Sequence, residues 1–196
     1  IIDAKDDLSI QVHPDDAYAK VHENGSLGKT ECWFILDCKE NATLVVGHNA
    51  KTKEELEQMI HEGRWKEFIR EIPIKPGDFI QIDPGTVHAI KGGTLLLETQ
   101  QSSDITYRVY DYDRLSNGKP RQLHIVQSID VITVPAKSAD NSVVHIEKKD
   151  DAIQQLIQCP YYTVYRIDVE HRVETWQDKP FALMSVVEGE GTLNGT

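Results

Sequence analysis

The stretch IKPGDFIQIDPGTVHAI, residues 74–90, decides the fold of this chain. Glycine and proline bracket a short β-rich segment on both sides, and His88 follows the second turn. Such punctuation predicts a strand between two tight turns. The other β-rich segments are LSIQVH, ECWFILD, ATLVVGH, TLLLETQ, ITYRVYDYD, VVHIEKK, YYTVYRIDVE and FALMSVVEGEGTLNG. Short strands at regular intervals, without alternating helices, favour an all-β antiparallel sandwich or barrel.

One helical segment interrupts the strands, and one turn-rich segment divides them. Residues 52–71 carry apolar side chains at helical spacing behind a Thr52–Glu55 capping box, and Gly63 splits the segment into two short helices. This pattern predicts a helical insertion without chemistry of its own. Residues 135–142 collect linker residues, which predicts a first domain over 1–134 and a second β domain over 143–196.

The composition excludes several classes of protein. The 196 residues carry a net charge of −11, which disfavours a nucleic-acid partner because phosphate binding needs clustered Lys and Arg. No apolar run approaches the roughly 20 residues of a membrane helix, and the given residues do not begin with a signal-peptide pattern. The three cysteines lack CxxC spacing and are typical of a reducing compartment. We therefore expect a cytoplasmic protein without membrane contact. Because the chain starts at Ile1 and stops within a predicted hairpin, we expect that the first domain lacks its start and the second its end.

Four polar residues in β-rich surroundings form a candidate metal site. Gln11 and His13 are two positions apart in QVHPDD, so they share one face of a strand. Glu31 begins the strand ECWFILD, and His88 follows the Asp-Pro-Gly turn. Two imidazoles, a carboxylate and an amide oxygen suit a divalent first-row metal, either zinc or iron. The remaining histidines are not assigned to a site: His22, His48, His61, His124, His145 and His171.

The spacing of these residues resembles that of the cupins. GDFIQIDPGTVH is similar to the second cupin motif, G-x5-P-x-G-x2-H, with Asp83 in place of proline and Pro84 one position later. The stretch from QVHPDD to Glu31 is similar to the first motif, H-x-H followed by Glu, with Gln11 in place of the first histidine. The gap before Glu31 is longer than usual, which implies an inserted loop. The resemblance implies a jelly-roll β-barrel.

QVHPDD, GKTE, DPGTVHAI and LLLETQQSSDITYRVYDYDR together resemble the type I mannose-6-phosphate isomerases, also called phosphomannose isomerases. This resemblance implies an enzyme of carbohydrate metabolism that interconverts mannose 6-phosphate and fructose 6-phosphate through a cis-enediol. It also implies one zinc ion per chain, held by Gln11, His13, Glu31 and His88. The catalytic residues of the family fall on Arg108, Glu98, Lys29 and Asp104. The helical domain of longer eukaryotic members is absent, which indicates the compact bacterial form, and we expect a monomer.

The chemistry of isomerisation leaves several roles open. We expect Arg108 and Lys29 to stabilise the charge that develops on the enediolate. Glu98 is our first choice for the base, because we expect its strand to lie beside that of His88. Asp104 is the second choice, because its role can instead be to anchor Arg108. The phosphate is expected to bind among Lys91, Arg114, Lys119 and Arg121. Two alternative functions also fit the motifs: an iron dioxygenase, which uses two histidines and a carboxylate, and a non-catalytic sugar-binding cupin.

Overall fold

A computed structural model describes residues 1–139, 142–144, 152–176 and 178–194. Residues 140 and 141 of the predicted linker, most of the predicted strand VVHIEKK and the unassigned His145 lie outside the described residues. No helix in the described residues combines the length and the apolar character that crossing a bilayer requires.

Two five-stranded antiparallel sheets form the body of the protein. The first sheet has the strand order β1-β8-β3-β6-β12, with β1 at Ile2–Ala4, β8 at Thr94–Gln100, β3 at Glu31–Cys38, β6 at Phe79–Ile82 and β12 at Val143–Val144. The second has the order β5-β4-β7-β2-β9, with β5 at Ile69–Pro73, β4 at Thr43–His48, β7 at His88–Ala89, β2 at Ile10–Val12 and β9 at Tyr107–Tyr110. The prediction of an antiparallel sandwich or barrel is confirmed.

The space between the sheets is filled by side chains from both of them. Trp33, Ile35 and Leu96 of the first sheet pack against Leu44 and Val46 of the second, and all five are fully buried. Strand residues two positions apart share a face, so Glu31, Trp33 and Ile35 of β3 all point toward this interior. Polar side chains on the inner faces are therefore enclosed between two sheets.

Helices cover the outer face of the second sheet. They are α1 at Asp16–His22, α2 at Lys53–His61, α3 at Trp65–Phe68 and α4 at Ile125–Val131. Leu56, Met59 and Phe68 bury their side chains there, and Thr52 caps α2 by accepting a hydrogen bond from the Glu55 backbone N–H (3.2 Å). The structure thus has both helices of the predicted insertion, although residues 69–71 belong to β5. Helices α1 and α4 were not predicted.

A hairpin from the second part of the chain covers the outer face of the first sheet. Strands β13 (Ile153–Gln158) and β14 (Thr163–Ile167) pair with each other, and Leu156 packs on Cys32 and Phe79. A small hairpin, β10 (Leu115–Ser116) with β11 (Lys119–Pro120), completes the strands. The prediction of a strand in FALMSVVEGEGTLNG is wrong, because no strand forms in residues 181–194, the part of this stretch that the structure describes. A strand needs a partner for its backbone hydrogen bonds, and this segment pairs with none of the described strands.

Candidate metal centre

Three of the predicted ligands meet in the interior between the two sheets. The ligand atoms of His13, Glu31 and His88 all lie within 4.8 Å of one another. Glu31 lies between the two imidazoles: its Oε2 is 3.3 Å from His13 Nε2, and its Oε1 is 3.3 Å from His88 Nε2. The exposed fractions of the side chains are 1%, 0% and 0% for His13, Glu31 and His88. Two imidazoles and a carboxylate therefore converge on one enclosed point.

Strand pairing brings these residues together. His88 lies on β7, where its Cα pairs with Gln11 of β2 on one side and with Val46 of β4 on the other. Glu31 starts β3 in the opposite sheet and points into the same interior. His13 directly follows β2, and its carbonyl accepts a hydrogen bond from the backbone N–H of Gly85 in the turn that leads to His88 (2.9 Å).

Backbone carbonyls fix the orientation of both imidazoles. His13 Nδ1–H donates to the Ile105 carbonyl (2.9 Å), and His88 Nδ1–H donates to the Thr86 carbonyl (2.8 Å). A proton on Nδ1 leaves the Nε2 lone pair free for a metal, and metal-binding histidines are commonly held in this way. Both Nε2 atoms face Glu31, so the unprotonated nitrogens point to the same place as the carboxylate.

The ionisation states also suit a cation. Burial lowers the pKa of His88 to about 4, so that the ring is neutral near pH 7. Burial alone would raise the pKa of Glu31, but the neighbouring His13, His88 and Lys29 together outweigh burial and lower this pKa, so the carboxyl is ionised. A carboxylate beside two imidazoles is a donor set found in zinc sites.

Unpaired buried atoms test whether a metal fits this place. Among the described residues, His13 Nε2 and Glu31 Oε1 are buried and have no hydrogen-bond partner. Buried polar atoms without partners are costly, and a bound cation would satisfy both of these acceptors at once. The residues therefore fit a divalent metal ion.

Gln11, the fourth predicted ligand, reaches the same point. Its amide Nε2 is 3.2 Å from His88 Nε2. A half-turn of the amide would bring its oxygen to this position, because the two ends of a glutamine amide have nearly the same shape. The structure therefore brings all four predicted ligands together.

Lys29 and Glu98 lie next to this group. Lys29 Nζ is 3.0 Å from Glu31 Oε2. Glu98 accepts a hydrogen bond from Trp33 Nε1 (3.0 Å). Burial, with the negative charge of Glu31, raises the pKa of Glu98. The expected position of Glu98 beside His88 needs correction: its strand, β8, lies between β1 and β3 in the first sheet, and His88 is in the second.

Arg108 is adjacent to the ligands through Gln11. Its Cα pairs with that of Gln11 in the β2–β9 register, and side chains of paired residues share a face. Its Nη1 donates to the Gln122 carbonyl (2.8 Å), whereas its Nε is buried and has no hydrogen-bond partner in the part of the chain that the structure describes. Burial and the neighbouring Arg121 and Arg114 lower the pKa of Arg108.

Asp104 lies farther out, and most of the candidate phosphate cations already have partners. Asp104 is exposed and lines a surface depression of about 310 Å³ with Gln100, Ser102 and Ser103. The ion pairs of the described residues include none between Asp104 and Arg108. Lys91 pairs with Glu71, and Arg114 and Arg121 both pair with Asp111.

Trp33 is a supporting residue that sequence reasoning missed. Besides donating to Glu98, its ring meets the His88 ring edge-on, with centroids 5.5 Å apart. The sequence did indicate that Trp33 lies near the site, because it follows Glu31 by two positions and therefore shares its strand face. The carbonyls of Ile105 and Thr86 were missed as well, and backbone groups leave no signal in a sequence.

Comparison with known proteins agrees with this geometry. A sequence model of the family "Mannose-6-phosphate isomerase, cupin domain" matches residues 152–196. The chain is 52% identical over 194 residues to the mannose-6-phosphate isomerase ManA of Bacillus subtilis (strain 168), covering 98% of this chain and 62% of that protein. It therefore spans less than two thirds of that relative's length.

Solved structures give the same relationship. The mannose 6-phosphate isomerase crystal structure from Bacillus subtilis matches with a TM-score of 0.75 and 50% identity, covering 82% of this chain and 52% of that chain. A zinc-bound mannose 6-phosphate isomerase shares the fold with a TM-score of 0.61 and 15% identity, covering 79% of this chain and 58% of that chain. Over the length that it spans, this chain is similar to the mannose-6-phosphate isomerases, and it has the all-β cupin fold.

Proposed function

We propose that the protein is a zinc-dependent aldose–ketose isomerase that interconverts mannose 6-phosphate and fructose 6-phosphate. The observation that carries the proposal is the convergence of His13, Glu31 and His88, with Gln11 beside them, in a chain 52% identical to a mannose-6-phosphate isomerase. The fold shared with a zinc-bound isomerase favours zinc as the metal. The proposed catalytic domain comprises residues 1–134 and contains all the proposed ligands and catalytic residues. Residues 135–142 would be the linker to a second cupin-like domain over 143–196.

We assign one zinc ion per chain to Gln11, His13, Glu31 and His88. Zinc, when bound, supplies a Lewis acid that polarises the sugar oxygens and aligns them. The two Nδ1 hydrogen bonds keep both imidazoles aimed at it. The Lys29 ammonium, 3.0 Å from Glu31, would limit the excess negative charge of the carboxylate when the metal is absent.

Glu98 is our proposed base. Isomerisation takes a proton from C2 of mannose 6-phosphate and returns it to C1 through a cis-enediol, while the hydroxyl proton of O2 moves to O1. The transfer between the two carbons requires a group that first accepts and then donates a proton. The raised pKa of Glu98 makes its carboxyl a better acceptor than an exposed carboxylate. The Trp33 hydrogen bond holds the carboxylate in place, so that its free oxygen can face the sugar. Asp104 stays the second choice, because it is exposed to solvent.

Arg108 and Lys29 are the proposed electrostatic stabilisers. Both positively charged side chains can lie near oxygen atoms that gain negative charge in the enediolate. The buried and unpaired Nε of Arg108 is a donor available to a ligand. The substrate would therefore lie across Gln11 and Arg108 on the second sheet and face Glu98 on the first.

A coupled assay tests the proposal. Full-length protein is freed of metal with a chelator, reconstituted with zinc, iron or no metal, and supplied with mannose 6-phosphate while fructose 6-phosphate is measured. We expect zinc to restore turnover without oxygen consumption. Oxygen uptake by the iron-loaded protein would favour the dioxygenase, and binding of the sugar phosphate without turnover by zinc-loaded protein would favour the non-catalytic cupin. Either result would overturn the isomerase.

A further inference from the structure

Gln101 contacts the backbone between two residues of the site. It directly follows β8 and is 8% exposed. Its backbone N–H donates to the Thr30 carbonyl (2.9 Å), and its side-chain Oε1 accepts from the Thr30 N–H (2.7 Å). Thr30 lies between Lys29 and Glu31. A single residue thus binds both backbone polar groups at the start of the strand that carries the carboxylate ligand.

The other end of the Gln101 amide is also bound. Its Nε2 donates to Asp16 Oδ1 (3.2 Å), which also accepts from the Gly28 backbone N–H (2.7 Å). The Lys29 N–H donates to the Pro14 carbonyl (3.1 Å), so residues 28–30 are held against 14–16. This packing is close: a Cβ at Gly28 would lie 2.4 Å from the Asp15 carbonyl carbon.

An amide is the side chain that this position requires. Its oxygen faces a donor and its nitrogen faces a carboxylate, so both halves of the amide are used. Glutamate would still accept from Thr30 but would bring a second negative charge against Asp16. Leucine, of similar size, could make neither bond and would leave the Thr30 N–H unpaired inside the protein.

We propose that Gln101 is a positioning residue for the metal centre: by binding Thr30 and Asp16 together, it fixes Lys29 and Glu31 relative to His13. The proposal rests on the proposed function, in which these side chains hold the metal. Gln101 would act only through the backbone of its neighbours. Removing it should weaken metal binding and change the ligand geometry even where the fold survives.

Gln81 offers a matched control. It is also a buried glutamine, 7% exposed, and its amide bonds to Asp83 (3.3 Å) and Tyr162 (3.3 Å). It lies on the outer face of the first sheet, in register with Cys32, whose side chain packs under the β13–β14 hairpin. Gln81→Leu removes a buried amide without touching the metal centre, so it reports the general cost of such a loss.

The test measures metal binding by the full-length protein. Zinc affinity is determined by chelator competition, and the visible spectrum of the cobalt-loaded protein reports the ligand geometry. We expect Gln101→Leu to weaken zinc binding about tenfold and to change the cobalt spectrum. Tenfold is the lower end of the loss in metal affinity that typically follows mutation of a residue that orients a metal ligand. We expect Gln81→Leu to keep the wild-type affinity and spectrum. A Gln101→Leu protein that binds zinc within twofold of wild type, with an unchanged cobalt spectrum, would overturn the proposal.

Milder variants keep the test decisive if Gln101→Leu does not fold. Gln101→Glu should weaken zinc binding, and adding Asp16→Asn should recover part of the loss because it removes the repulsion between the two carboxylates. Wild-type affinity in Gln101→Glu would contradict the role given to the amide. A wild-type protein that binds neither zinc nor cobalt would overturn the metal centre itself and this inference with it. Equal zinc affinity of the wild type, Gln101→Leu and Gln101→Glu would overturn the inference alone.

Discussion

Glu31 and His88 belong to opposite sheets, yet Glu31 Oε1 lies 3.3 Å from His88 Nε2 and both side chains are fully buried. The candidate metal centre therefore exists only when the two sheets are packed together. A ligand that binds the folded state alone stabilises it by mass action. The geometry thus links metal binding to the free energy of unfolding.

We accordingly expect zinc to stabilise the protein. At a free zinc concentration of about 100 times the dissociation constant, the free energy of unfolding should rise by about 2.7 kcal/mol. Denaturant unfolding of metal-free and zinc-loaded full-length protein measures the difference. His88→Ala should abolish it and lower the bound zinc, whereas His61→Ala, at an exposed position on α2, should keep both. Equal zinc stabilisation of His88→Ala and wild type would refute this ligand assignment.

Glu98→Gln should separate catalysis from metal binding. The amide keeps the size of the side chain and can still accept from Trp33 Nε1, but it cannot accept a proton from C2. We expect kcat to fall by about 10²- to 10⁴-fold, with unchanged zinc content, because general bases contribute on this scale. Solvent deuterium exchange at C2 of mannose 6-phosphate reports the same step and should disappear with turnover. An Asp104→Asn variant serves as comparison: if it loses more activity than Glu98→Gln, the base has been assigned to the wrong carboxylate.

Part of this site could be predicted from the sequence because the signals are local. Gln11 and His13 are two positions apart, and the glycine–proline turn places His88 at a fixed distance from Gly77. That these residues converge with Glu31 depends on two sheets packing together, which spacing alone cannot show. Only the resemblance to a known family linked them before the structure did.

The rest depended on long-range contacts. Gln101 binds residues 71 and 85 positions away, and nothing in LETQQSSD distinguishes it from its neighbour Gln100. Helix α4 was missed because it has only seven residues and its N-cap position, His124, makes no side-chain cap hydrogen bond. Conversely, FALMSVV has the composition of a strand, but high β-propensity does not form a strand without a neighbour to pair with.

Arg108→Ala should keep the metal and lose most of the turnover. The arginine faces the site across Gln11 but lies outside the ligand group, so zinc content and stability should change little. Removal of one well-placed donor to a developing negative charge typically costs about 10²- to 10³-fold in kcat. Steady-state kinetics and metal analysis of the same preparation measure both quantities. Arg172→Ala, at an exposed position outside the described strands, is the control. Full activity of Arg108→Ala would remove Arg108 from the mechanism.

Asp111→Asn should destabilise the protein without affecting zinc binding. Asp111 is buried and accepts hydrogen bonds from Arg121 and Arg114, which lower its pKa to about 2 from an ordinary 3.8. A lowered carboxyl pKa stabilises the fold above the unfolded-state value, and this contribution is lost as pH falls toward 2. We expect a loss of about 1–2 kcal/mol that is constant between pH 5 and 8, because both arginines are partly exposed and solvent screens the pairs. A difference that changes with pH in this range, in denaturant unfolding, would contradict the assignment.

Gly85→Ala tests the turn that carries His88. Gly85 has φ +80°, and a Cβ there would lie 2.4 Å from Thr133 Oγ1 and 2.9 Å from the Val131 carbonyl. Its N–H donates to the His13 carbonyl, and its own carbonyl accepts from the Thr133 N–H. Gly118→Ala is the matched control, because Gly118 has φ +76° with no atom within 4 Å of the added Cβ, so it bears only the backbone strain of about 1 kcal/mol. We expect Gly85→Ala to lose at least about 1 kcal/mol more than Gly118→Ala in denaturant unfolding, since overpacking adds to the same strain. Of the two variants, we expect only Gly85→Ala to weaken zinc binding, because the turn that connects to His13 and leads to His88 must shift.

Equal losses of stability in the two variants, with wild-type zinc affinity in both, would contradict this prediction. That result would show that the turn tolerates the added methyl group and does not set the position of His88.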